Sequence, residues 1–111
     1  MISISESVTP EDIFGKSDIL PGQDWLNKDK VILYASMMLE DRFPWETAQY
    51  FEPLVIEVGT NGKVISQGHH RWAAAYLAGI AMPYNFEMYY DYLNKGQEVS
   101  YALRWKDVHW E

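Results

Sequence analysis

Between residues 28 and 41, KDKVILYASMMLED, the apolar positions Val31, Ile32, Ala35, Met38 and Leu39 recur every three to four residues. That period predicts an amphipathic helix, with Asn27 or Asp29 as its cap and Pro44 as its stop. Its two methionines fit core filling better than cofactor contact. Further on the period shortens. Residues 54–58 and 63–66 are β-branched runs separated by Gly59-Thr60-Asn61-Gly62, and an Asn-Gly turn between such runs predicts a β-hairpin. A second helix then runs from His69 or His70 to Ala78, with Gly79 in the C′ position. Residues 83–88 read as a strand and 89–93 have no clear period. Asn94-Lys95-Gly96 marks a turn, and Val99, Tyr101, Leu103 and Trp105 alternate as a final strand would. At the other end, Ile2 and Ile4 alternate with Ser3 and Ser5, predicting a short edge strand within residues 1–9. Thr9 and Pro10 then open a turn or short helix, and GKSDILPGQDW reads as loop. The order of elements is α+β: a small mixed sheet with packed helices, in one domain spanning residues 1–111.

Composition narrows the chemistry. The chain has no cysteine, which excludes a disulfide scaffold, a thiolate metal site and a cysteine nucleophile. A cysteine-free chain suits a reducing cytoplasm, although export as an effector stays open. The first residues carry no secretory signal, and no apolar run is long enough to span a membrane. Nine Lys and Arg against sixteen Asp and Glu give a net charge of −7, which disfavours duplex DNA as a partner. A nucleotide or phosphorylated small molecule is still compatible, because one pocket can hold phosphate against the mean field. Aromatic residues make up 15% of the chain, enough to suggest a contact surface besides the core. Phe43, Trp45, Tyr50 and Phe51 form one cluster along the sequence. Tyr84, Tyr89, Tyr90, Tyr92, Trp105 and Trp110 enrich the C-terminal part.

Two of the three histidines stand together in VISQGHHRWAAAYLAGI, residues 64–80, where a strand gives way to a helix. A glycine-led helix start offers unpaired backbone N–H groups and the positive end of the helix dipole. Gly68 lets a ligand approach the backbone, Arg71 adds a planar cation, and His69 and His70 can donate to phosphate or move protons near neutral pH. These parts together describe an anion site. Metal ligation by the histidine pair is the weaker reading, since adjacent side chains diverge and His109 is remote in sequence. Ala73, Ala74, Ala75 and Ala78 would let the helix pack closely on the sheet and hold its N-terminus rigid.

The run from Pro53 to Val58, followed by Val64-Ile65-Ser66-Gln67-Gly68-His69-His70-Arg71-Trp72-Ala73-Ala74-Ala75 and Gly79, resembles the ParB/sulfiredoxin-like superfamily, which includes ParB-like nuclease domains. The resemblance covers about residues 26–88, is most specific over 64–79, and leaves 89–111 as a C-terminal extension. It implies a ParB/sulfiredoxin-like fold that binds nucleotide phosphates at the glycine-led helix start. Gln67, Gly68, His69, His70 and Arg71 would then contact a nucleotide of the ATP, ADP or CTP type bridged by Mg²⁺. His70 and Arg71 would be the catalytic pair.

The departures are informative. His69 stands where sulfiredoxin has its cysteine, so the chain is not a sulfiredoxin. His69-His70 also replaces the Glu-Arg of partitioning ParB, and no helical DNA-binding region follows within these 111 residues. Gln67 stands where the superfamily pattern has aspartate. Where serine-kinase relatives place a catalytic glutamate, this chain offers Asp24 or Asp29. The first expectation is therefore a nucleotide-binding domain that hydrolyses or transfers phosphate. A ParB-like nuclease of toxin type is the second, and a non-catalytic module binding a protein through its aromatic surface is the third.

Overall fold

The computed structural model describes residues 2–51, 53–82 and 91–111, with side chains omitted for 49–51. The strand expected at 83–88, and Tyr84, Tyr89 and Tyr90, lie outside the described residues, as do the side chains of Tyr50 and Phe51.

The architecture is α+β. The first helix, α1 (Pro10–Phe14), starts as its sequence predicts: Thr9 accepts from the Asp12 N–H while the Asp12 carboxylate accepts from the Thr9 N–H. The edge strand expected before it does not form; Ile2 instead packs against the helices. The segment read as loop holds two short strands, β1 (Ile19–Leu20) and β2 (Trp25–Leu26). They escape a periodicity search because two residues cannot show a period.

Helix α2 (Lys28–Leu39) is capped by Asn27, whose side chain accepts from the Lys30 N–H. Asp29 lies inside the helix. Pro44 is not the stop. Asp41 turns left-handed at φ 57, and the N–H groups of Asp41 and Arg42 close back onto Met38 and Met37. Val31, Ala35 and Met38 are buried, whereas Leu39, at the frayed end, is exposed.

A further helix, α3 (Trp45–Phe51), follows, and then the expected hairpin: β3 (Val55–Gly59) and β4 (Gly62–Gln67), joined through Thr60 and Asn61. β4 is the centre of a three-stranded sheet, antiparallel to β3 and parallel to β1. Parallel pairing of Asp91 with Val58 covers the outer edge of β3. The ladder shifts between Val55, opposite Gln67, and Ile56, opposite Ile65. Ser66 is thus the extra residue of a bulge at the last step before Gly68. Helix α4 (His69–Ala78) leaves from there and ends at Gly79 in the left-handed conformation, as predicted.

Residues 99–105 do not form the predicted strand. The Asn61 side chain takes both backbone groups of Val99, at 3.0 and 2.9 Å, and the Leu103 N–H goes to the Pro21 carbonyl. These pins bend the chain into the 3-10 turn Trp105–Asp107, after which β5 (His109–Trp110) pairs in parallel with β2.

Two buried clusters hold these layers. In one, Phe14 lies among Trp72, Trp105, Tyr76 and Trp110, and Trp72 stacks on Trp105 at 5.3 Å. In the other, Ala74 and Ala75 of α4 meet Ala35 and Met38 of α2. Much of the aromatic content is therefore interior: Trp105 belongs to the core, and Trp110 and Tyr92 are half-buried.

Candidate functional site

The bulge, Gly68 and the α4 N-terminus form one continuous device. Gly68 adopts φ 92, ψ 27 and supplies no side-chain cap to the helix. A Cβ there would stand 2.9 Å from Leu54 Cδ1, 3.1 Å from Leu54 Cα and 3.2 Å from Arg71 Nη2. Glycine is thus required twice over, by conformation and by the closeness of Leu54, the residue before β3. The guanidinium of Arg71 lies against the turn from within and is only 1% exposed.

The predicted residues come together. Gln67, Gly68, His69, His70 and Arg71 line a cavity of about 330 Å³, joined by Gln23, Trp25 and Lys30. The last three were missed in the sequence. Gln23 and Trp25 sit in a stretch that reads as loop, and Lys30 lies in the first turn of α2 with no motif to mark it. Asp24 and Asp29, the two acids near the expected kinase position, are exposed and outside this lining. Among the described residues the lining carries two cations, Lys30 and Arg71, and no carboxylate.

The histidines are both committed to backbone donors. His69 Nε2 accepts from the Gly22 N–H at 2.9 Å, and His70 Nε2 accepts from the Asn27 N–H at 2.9 Å. A ring nitrogen that accepts carries no proton, so each neutral imidazole is protonated at Nδ1. His69 is buried, and burial first, then the neighbouring His70, lowers its pKa from 6.5 to about 4; the Ile65 backbone acts in the opposite direction. His70 is half-buried, with its ring 5.3 Å from that of Trp25. The expected role of His70 as a proton acceptor is therefore not available at Nε2, which already holds a hydrogen bond. Nδ1 remains as the donor-bearing nitrogen.

The donor set does not suit a metal held by the protein. Mg²⁺ prefers oxygen ligands in octahedral array, and among the described residues the side chains lining the cavity offer only the amide oxygens of Gln23 and Gln67. Among the described residues, no group of three or more His, Cys, Asp or Glu side chains converges. No helix there is long and apolar enough to cross a membrane. No family model, curated protein or solved structure matches the chain significantly.

Proposed function

We propose that the cavity at the start of α4 binds the phosphate groups of a nucleotide. The observation that carries this reading is local charge: a chain of net −7 lines this one cavity with Lys30, Arg71 and a helix N-terminus, and with no carboxylate among its described residues. Phosphate oxygens would accept from the first-turn amides of α4, which the left-handed Gly68 leaves without a side-chain cap. Lys30 approaches from α2, while Arg71 supplies a buried charge behind the turn. Charge-assisted hydrogen bonds contribute about 1.5–3 kcal/mol each. After the cost of association, a few of them correspond to dissociation constants between about 1 μM and 1 mM.

Membership of the ParB/sulfiredoxin-like superfamily belongs to the same proposal, because that resemblance rests on residues 64–79 and implies phosphate contacts at this turn. Binding is better supported than hydrolysis or phosphoryl transfer, since His70 Nε2 is engaged and, among the described residues, no carboxylate lines the cavity as a base. Mg²⁺ would accompany the ligand on its phosphates rather than occupy a protein site. Amide chemical-shift mapping with ATP, ADP and CTP, each with Mg²⁺, tests the reading. The largest shifts should fall on residues 68–71, Lys30 and residues 22–25. No shift in that region at millimolar nucleotide would refute it.

A further inference from the structure

The paired histidines have a use that phosphate binding does not require. Gly22 and Asn27 are the two ends of a six-residue strap, and each end donates its backbone N–H to one imidazole of the pair. Between the ends, Gln23 and Trp25 wall the cavity, and Asp24 and Trp25 are exposed. The strap is moored in the core at Pro21 and Leu26, both buried, and through β2 to β5. Only Gly22 and Gln23 arch between Pro21 and β2, because the Asp24 carbonyl accepts from the His109 N–H and Trp25 already pairs with β5.

We propose that His69 and His70 are a double latch on this strap, closed when both rings are neutral and released when a ring is protonated at Nε2. A protonated Nε2 is a donor, so it turns from partner to repulsive neighbour of the amide it held. Among the described residues, the groups around His69 reinforce its neutral state. Arg71 on α4 and Lys30 on α2 are cations; Gln67 on β4 and Gln23 and Trp25 on the strap are uncharged; and the α4 N-terminus adds its positive dipole end. The strap's own acid, Asp24, and Asp29 in the first turn of α2 lie outside the lining, and His109, opposite Trp25 in the ladder, is exposed. His69 is accordingly hard to protonate, at about 4 against 6.5 for a free ring, with burial the larger cause and His70 the second. The latch itself does not depend on the phosphate reading.

The test is nuclear magnetic resonance on the ¹⁵N-labelled chain. At about pH 7, scalar couplings across the two N–H···N bonds should join Gly22 N to His69 Nε2 and Asn27 N to His70 Nε2. Lowering the pH to about 4 should cut the His69 coupling to about half, because a ring at its own pKa is half protonated. Amide exchange at Gly22, corrected for intrinsic chemistry, should rise roughly a hundredfold, following from the interval between 6.5 and about 4. Amides of Ile65 and Ala73 should keep their protection. His69→Gln, whose amide oxygen accepts without titrating, should hold Gly22 protection flat over the same range. The proposal fails if the couplings are absent at neutral pH, or if Gly22 exchange does not respond. It fails equally if Gly22 opens only together with Ile65 and Ala73. A phosphate-free sample is used, so failure of the latch and failure of nucleotide binding are read separately.

Discussion

Two glycines flank α4 in left-handed conformations, and comparing them isolates what Gly68 contributes. Gly79 has φ 69 and nothing within 4 Å of an added Cβ, whereas Gly68 has φ 92 and would place its Cβ against Leu54 at 2.9 and 3.1 Å. Gly79→Ala should therefore cost only the left-handed penalty, about 1–2 kcal/mol. Gly68→Ala should cost that penalty plus overpacking against backbone that cannot rotate away, about 1–3 kcal/mol more. The expected total is about 2–5 kcal/mol, against a typical domain stability of about 5–15 kcal/mol. The variant should thus still fold well enough to be measured. Urea unfolding followed by tryptophan fluorescence gives both values, with similar slopes expected for the two variants. If Gly68→Ala costs no more than Gly79→Ala, the close approach of β3 to the turn is wrong, and with it the geometry of the cavity floor.

Other consequences follow from single residues. Because His69 is depressed from 6.5 to about 4, the unfolded chain binds its proton first. Stability from this residue is complete above about pH 6.5 and falls as the pH drops towards 4, a loss of roughly 1.4 kcal/mol by about pH 5.5. His69→Gln should lack that slope; parallel pH profiles for the two proteins would contradict it. Asn61→Ala strips the partner from the N–H of Val99, which is 1% exposed, and leaves its carbonyl only the Ala102 N–H at 3.3 Å; it should cost about 1–3 kcal/mol in the same urea assay. Lys30→Glu should leave the unfolding midpoint nearly unchanged yet weaken nucleotide binding at least about tenfold, since it reverses a charge in the cavity wall. Equal affinity would remove Lys30 from the site.

The sequence marked the elements with long-range period or specific punctuation. Thr9-Pro10, Asn27, the hairpin and Gly79 all stand where local chemistry puts them. The failures share a cause. β1, β2 and β5 are two residues each and exist only because partners 44 and 84 residues away pair with them: Ile19 with Lys63, and Trp25 with His109. Val99 to Trp105 alternates convincingly, yet Asn61 and Pro21 claim its backbone groups individually and no ladder forms. The site divides in the same way. Residues 67–71 were legible as a glycine-led helix start, while Trp25 and Lys30 join them only through the fold. What the pattern could not tell was the direction of the histidines. They look like ligands in the sequence, and in the structure their Nε2 atoms face the chain's own backbone.

The central claim is that a chain of net −7 keeps one cavity for phosphate. Isothermal calorimetry of the wild-type chain with ATP and Mg²⁺, at low ionic strength and about pH 7, tests it most directly. The account predicts one site with a dissociation constant between about 1 μM and 1 mM, weakening as salt is raised. No heat of binding at several millimolar nucleotide would contradict it.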